Sequence, residues 1–147
     1  MSELMLEQGR DGRTLSQVEV AEVMHRGVLT CPLETPLRTV ARMMAIYRIH
    51  AVIVFGEEGD DVPGTGLWGV VSDLDLVQAA AAAEFEDRSA RGTAVTPALT
   101  VAPEDTLERA AQLMSEHEVT HLVVVDRGAG RPVGVLSTLD LARTLAA

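Results

Sequence analysis

Two copies of a Ser-x-x-Asp pattern carry the side chains of this chain that are best suited to chemistry. Ser72 and Asp75 follow Gly-Val-Val, and Ser137 and Asp140 follow Gly-Val-Leu. Where a strand ends at Ser and continues as a helix, the hydroxyl and the carboxylate share one edge, and a carboxylate there can accept two hydrogen bonds from a ribose diol. The same residue types are ordinary helix N-caps, so the pattern leaves a ligand-binding and a capping role open.

A second pattern has the spacing of a zinc site. The segment His117–His121 reads His-Glu-Val-Thr-His, which matches the metalloprotease pattern letter for letter. That chemistry needs both histidines on one face of a continuous helix, whereas the run Leu122–Val125 that follows at once is typical of a strand. No histidine follows His121. We therefore predict a helix terminus with a polar end here, and no metal site.

Cys31 is the single cysteine of the chain, which excludes an internal disulfide and a multi-cysteine zinc site. It stands next to Pro32 without a matched general base, and it aligns with Val101 in the repeat described below. We predict that it is a small buried hydrophobic residue. With no residue predicted to be catalytic, the chain is not expected to be an enzyme.

Composition narrows the classes of partner. The 147 residues carry a formal net charge of −10, and 47% of them are hydrophobic, enough to build a core. The acidic balance disfavours non-specific binding to nucleic acid or to an anionic membrane. All the cationic side chains except histidine are arginine, which excludes a Walker A loop and lysine Schiff-base chemistry. The lone cysteine fits a reducing compartment, and we expect a cytoplasmic protein.

The chain contains an internal repeat. At an offset of 70, residues 29–55 align with residues 99–125, with seven of 27 positions identical. At an offset of 65, residues 69–76 align with residues 134–141, with six of eight identical. The difference places five extra residues in the Gly-rich, acidic segment Glu-Glu-Gly-Asp-Asp-Val-Pro-Gly-Thr-Gly, which predicts a loop insertion in the first copy.

Each copy shows the same order of signals. A short apolar piece ends in Thr, a helix with apolar residues three and four apart follows, then two β-branched strands joined by a Gly-containing turn, then a second helix. The predicted fold class is α+β, with two β-α-β-β-α repeats related by pseudo-twofold symmetry and their sheets packed together. We expect a mobile tail over residues 1–16, a first repeat over 17–86, a linker over 87–92 and a second repeat over 93–147.

This tandem repeat resembles a pair of cystathionine-β-synthase (CBS) domains, a Bateman module. The resemblance covers residues 17–147 and is carried by Gly-Val-Val-Ser-x-x-Asp and Gly-Val-Leu-Ser-x-x-Asp, each at the same place in its copy. It implies that Asp75 and Asp140 hold a ribose, with Ser72 and Ser137 beside them. It also implies that the base contacts Thr30, Thr100 and the backbone near Val52 and Val123, and that phosphates lie near His50, Thr120 and His121.

The resemblance further implies a function. We expect a non-catalytic regulatory module that binds an adenosine-containing ligand, such as AMP, ADP, ATP or S-adenosylmethionine, in clefts between the repeats. No obligatory cofactor is implied; the adenine nucleotide is the ligand. The module is expected to form a homodimer and to signal in trans to an unknown effector protein. The alternative is a structural or interaction dimer whose clefts stay empty.

Overall fold

A computed structural model of the chain describes residues 14–56 and 66–147. The predicted tail over residues 1–16 and the predicted loop insertion lie almost entirely outside these residues. The described chain forms two compact units. The first unit comprises residues 27–99, and the second comprises residues 14–26 together with residues 100–147.

Six α-helices and six strands are found among the described residues. The helices are α1 (Val20–Val23), α2 (Leu37–Tyr47), α3 (Asp73–Ala81), α4 (Ala90–Thr93), α5 (Leu107–His117) and α6 (Thr138–Ala146). The strands are β1 (Thr30–Pro32), β2 (Ala51–Phe55), β3 (Leu67–Ser72), β4 (Thr100–Val101), β5 (His121–Asp126) and β6 (Arg131–Ser137). Short 3₁₀ turns are formed by Leu15–Gln17 and Phe85–Asp87.

Each unit contains one three-stranded sheet with the same topology. In the first unit β2 is central, parallel to β1 and antiparallel to β3. In the second unit β5 is central, parallel to β4 and antiparallel to β6. The crossover from each edge strand to the central strand passes through a helix, as a parallel connection requires. The predicted α+β class and the predicted β-α-β-β-α order are confirmed.

The long helices α2 and α5 end in the same way. Each is followed by a left-handed residue, Arg48 with φ of 54° and Glu118 with φ of 53°, whose backbone N–H donates to the carbonyl of Met44 or Met114. This conformation reverses the chain so that it enters the central strand within four residues. Neither residue is glycine, so both ends carry a local conformational cost.

The core of each unit surrounds its central strand. Ala51–Val54 of β2 and Leu122–Val125 of β5 are buried, and both runs are nearly continuous in apolar residues because both faces of the strand are covered. Leu37, Val40 and Met44 of α2 and Leu107, Ala110 and Met114 of α5 supply the buried helix faces. Cys31 belongs to the first core, as predicted.

The segment before β1 belongs to the second unit and completes it. The backbone N–H of Val20 donates to the carbonyl of Asp105 at 2.8 Å, and the N–H of Leu107 donates to the carbonyl of Val18 at 2.9 Å. Farther along, His25 and Val135 exchange two backbone hydrogen bonds of 2.9 Å. Val20 is fully buried by these contacts.

The segment before β4 completes the first unit in the same manner. The backbone N–H of Ala90 donates to the carbonyl of Thr35 at 2.9 Å, and Val95 and Val70 exchange hydrogen bonds of 2.9 and 3.2 Å. Residues 90–92, placed in the predicted linker, are therefore part of helix α4, and Ala90 is fully buried. The boundaries of the compact units thus differ from those of the sequence repeats.

The glycine three residues before the serine of each Ser-x-x-Asp pattern allows this packing. A Cβ at Gly69 would lie 2.5 Å from the carbonyl oxygen of Val95, and a Cβ at Gly134 would lie 2.8 Å from that of His25. Any side chain would push the neighbouring segment away from the sheet. The glycines therefore serve the close approach of neighbouring backbone.

Candidate functional site

The first unit holds Ser72 and Asp75 at the junction where β3 becomes α3. Asp75 Oδ2 accepts a hydrogen bond from the backbone N–H of Ser72 at 2.7 Å and one from its hydroxyl at 3.0 Å. The backbone N–H of Asp75 donates in return to Ser72 Oγ at 3.3 Å. This reciprocal capping box orients the carboxylate and begins the helix.

The second unit repeats the arrangement where β6 becomes α6. Asp140 Oδ2 accepts from the backbone N–H of Ser137 at 2.8 Å and from its hydroxyl at 3.0 Å, and the backbone N–H of Asp140 donates to Ser137 Oγ at 3.2 Å. Both aspartates are therefore helix-capping residues. The capping role left open by the sequence is present, and it uses one carboxylate oxygen at each junction.

The remaining carboxylate oxygens have different surroundings. Asp140 Oδ1 lies 2.9 Å from His25 Nε2, and the Asp140 side chain is only 4% exposed. Asp75 is half-buried, and within its own unit the described residues give its Oδ1 no hydrogen-bond or ion-pair partner. Among the described residues of each unit, one Asp75 oxygen thus has no partner, whereas both Asp140 oxygens have one.

A cavity of about 210 Å³ lies beside Asp75 within the first unit. Its polar lining is completed by Gln78, Glu84, Arg88 and Thr93. Arg88 is bonded to Glu84, with Nη2 to Oε2 at 2.9 Å, whereas the buried Thr93 Oγ1 has no hydrogen-bond partner. The cavity therefore places a carboxylate within reach of a polar ligand, whereas the Thr93 hydroxyl itself is buried.

The residues predicted to contact a base occupy the strands next to these junctions. Thr30 is exposed at the start of β1, and Thr100 is half-buried at the start of β4. Their strand partners in the central strands are Ile53 and Val123. Val52 and Val123 have fully buried side chains, so that only their backbone could meet a base.

The residues predicted to lie near phosphates sit at the entries of the central strands. His50 Nδ1 lies 2.9 Å from Asp73 Oδ2, and both side chains are exposed. In the second unit Thr120 Oγ1 lies 2.9 Å from His121 Nδ1, and Thr138 takes the place of Asp73. The first entry therefore carries an acidic group next to its histidine, and the second has Thr138 at the position equivalent to Asp73.

The zinc-like spacing at residues 117–121 is broken by the backbone. Helix α5 ends at His117, Glu118 is left-handed, and His121 lies in β5. The two histidines therefore do not share a helix, as predicted. In the described part of the chain, no group of three or more His, Cys, Asp or Glu side chains is arranged to hold a metal ion.

Burial raises the pKa of the Cys31 thiol, and a hydrogen bond with Thr35 opposes part of that effect. A buried thiol with a raised pKa is a poor nucleophile, because the thiolate is the reactive form.

Across residues 14–56 and 66–147, no helix is long and apolar enough to cross a bilayer.

The sequence did not single out His25, which pairs with Asp140. It lies five residues before β1, outside the predicted strands, and 115 residues before its partner in the sequence. The internal repeat is the one sequence feature that could have pointed to His25, because an offset of 70 aligns it with Val95. In the structure, both residues bridge to the strand that carries the Gly-Val pattern of their unit.

In comparisons with known proteins, one family model matches two segments of the chain. The family model of the CBS domain matches residues 20–82 and 93–147. No curated protein matches. A CBS domain protein from Pyrobaculum aerophilum, solved in complex with AMP, is 31% identical, with 84% of this chain and 90% of that chain covered and a TM-score of 0.70.

Two further solved structures share the fold. A CBS domain pair in complex with 5′-methylthioadenosine and S-adenosyl-L-methionine is 18% identical, with 86% of this chain and 94% of that chain covered and a TM-score of 0.70. A hexameric CBS-CP12 protein from bloom-forming cyanobacteria is 20% identical, with 85% and 69% covered and a TM-score of 0.74.

Proposed function

The chain belongs to the CBS domain family, and from this premise we propose that it is a non-catalytic regulatory module for an adenosine-containing ligand. The observation that carries the proposal is a carboxylate oxygen of Asp75 that has no partner among the described residues of its unit, beside a cavity of about 210 Å³. A ribose offers two neighbouring hydroxyl donors, and a carboxylate is an acceptor for both. The AMP complex of the relative from Pyrobaculum aerophilum supports an adenosine ligand.

The polar groups near the junctions favour a ligand with one phosphate group or none. The residues just before Asp75 and Asp140 are Leu74 and Leu139, both about half exposed, so neither supplies a cation. His50 already lies against Asp73, and a carboxylate repels phosphate. We therefore favour AMP or an adenosine-like ligand such as S-adenosylmethionine over ATP, with His50, Thr120 and His121 as the proposed phosphate-side residues.

We also propose that the module acts as a homodimer. Helices α2 and α3 leave large apolar side chains in water: Ile46 is 71% exposed, Tyr47 61% and Val77 62%. Large apolar side chains left exposed on neighbouring helices are typical of protein–protein contacts. The output would pass in trans to an effector protein in the cytoplasm.

Isothermal titration calorimetry with AMP, ADP, ATP and S-adenosylmethionine tests the ligand class. We expect AMP to bind, and Asp75→Asn to weaken binding at least tenfold, because a charged hydrogen bond to the ribose is lost. Glu116→Gln, an exposed change on α5, is the control and leaves the affinity unchanged. Absence of binding by all four compounds at millimolar concentration would overturn the proposal.

A second candidate is a ligand-free interaction module. It is favoured by the capping boxes, since both aspartates already have a structural role. Thermal unfolding separates the two functions, because a ligand at 100 times its Kd adds about 2.7 kcal/mol to the stability. A melting temperature that stays constant across the nucleotide panel, with a dimer persisting throughout, would favour the second candidate.

A further inference from the structure

Positions 25 and 95 are structurally equivalent. His25 bridges to Val135 and Val95 bridges to Val70, each through two backbone hydrogen bonds. In each unit the capping aspartate lies five residues after the bridged strand residue. The side chain at position 25 therefore has the same placement relative to Asp140 as the side chain at position 95 has relative to Asp75.

Both oxygens of the Asp140 carboxylate already have a partner. Ser137 occupies Oδ2, and His25 Nε2 lies 2.9 Å from Oδ1. The Asp140 side chain is only 4% exposed with His25 in place, so a ligand would have to displace the histidine to reach Oδ1. A ligand must then replace the histidine bond before it gains its own.

The carboxylate of Asp75 presents the opposite situation. Val95 replaces the histidine, and a valine side chain cannot donate a hydrogen bond. Among the described residues of its unit, Asp75 Oδ1 has no partner, and the cavity lies beside Asp75. A diol that binds here would supply this oxygen with a hydrogen-bond donor.

We propose that His25 closes the second junction to ribose, so that each chain binds one adenosine-type ligand, through Asp75 and not through Asp140. This inference rests on the proposed function and adds which junction is used and which residue decides it. His25 is a specificity-determining residue that acts through the carboxylate with which it pairs. At the equivalent bridging positions the two junctions differ in one side chain, His25 against Val95.

The test exchanges the two side chains and counts bound AMP by calorimetry. In the wild type we expect one AMP per chain, an affinity reduced at least tenfold by Asp75→Asn, and a change of less than twofold with Asp140→Asn. His25→Val gives the second junction the side chain of the first, and we expect two AMP per chain. In His25→Val/Asp140→Asn the stoichiometry should return to one.

The reciprocal exchange, Val95→His, should weaken AMP binding at least tenfold. Val95 is 44% exposed, so this variant is expected to fold, and its melting curve checks that. One AMP per chain in His25→Val, or wild-type affinity in Val95→His, would overturn this inference and leave the proposed function standing. Absence of AMP binding in the wild type and in every variant would overturn both.

Discussion

The two strand–helix junctions have the same backbone and the same capping box, but their carboxylates are in different states. At the first junction Asp75 is half-buried beside a cavity, and one of its oxygens is unpaired within its unit. At the second junction Asp140 is buried and held by His25. An identical sequence pattern can thus specify the same local fold while leaving the chemistry to a residue far away in the chain.

We expect the largest change in stability from substitution of Gly69 and Gly134, which allow the close backbone approach found in both units. Gly69→Ala should lower the free energy of unfolding by roughly 3 kcal/mol, because its Cβ would meet a backbone oxygen at 2.5 Å. Gly134→Ala should cost less, roughly 2 kcal/mol, since one of its contacts is the flexible Met24 side chain. Urea denaturation measures both values.

Gly92→Ala is the matched control, because no atom lies within 4 Å of the added Cβ. It should leave stability unchanged or raise it slightly, since alanine favours helix. Equal stability of Gly69→Ala and Gly92→Ala would contradict the role given to the close backbone approach.

Removal of the two aspartates sharpens the difference between the junctions. Asp140→Ala should cost roughly 2–3 kcal/mol, because it removes the cap and the buried partner of His25. Asp75→Ala should cost roughly 1 kcal/mol, the usual effect of losing a cap. Chemical denaturation of both variants in parallel tests this, and an equal cost would show that His25 contributes nothing to stability.

The left-handed residues that follow α2 and α5, Arg48 and Glu118, test whether the two units respond alike to the same substitution. Arg48→Gly and Glu118→Gly should each stabilise the protein by up to about 1 kcal/mol, because glycine adopts this conformation without steric cost. The two effects should agree, since the two ends have nearly the same dihedral angles. Glu116→Gly within α5 is the control and should destabilise by about 1 kcal/mol. Destabilisation by Glu118→Gly would contradict the prediction.

The smallest effect concerns Cys31, whose equivalent in the second unit is Val101. Because the pKa of the thiol is raised in the folded state, the neutral thiol is favoured, and this contribution is lost as the pH rises through the folded pKa. Wild type should therefore lose stability relative to Cys31→Val only at alkaline pH, above about pH 9. Melting temperatures from pH 7 to 10 test this, and a difference confined to acid pH would contradict it.

Much of the fold could be predicted from the sequence because it depends on local patterns that occur twice. The β-branched runs, the helix periodicity and the Ser-x-x-Asp junctions each specify an element within a few residues. The boundaries of the units could not be predicted, because the contacts of Val20 and Ala90 join segments far apart in the chain. The same holds for the site: Asp75 and Asp140 are equivalent by alignment, and only the long-range contact of His25 separates them.

The contribution of residues 14–26 to the second unit has a consequence for synthesis. This segment leaves the ribosome before the rest of its unit, and its hydrogen-bond partners at Pro103, Asp105 and Val135 are made some 80 to 110 residues later. The first unit has its whole described sequence available once residue 99 has emerged, and it can fold while the earlier segment waits with Val18 and Val20 uncovered. A fragment of the second repeat alone would lack that segment, whereas joining residues 14–26 to residue 147 by a short linker would restore it on one continuous chain.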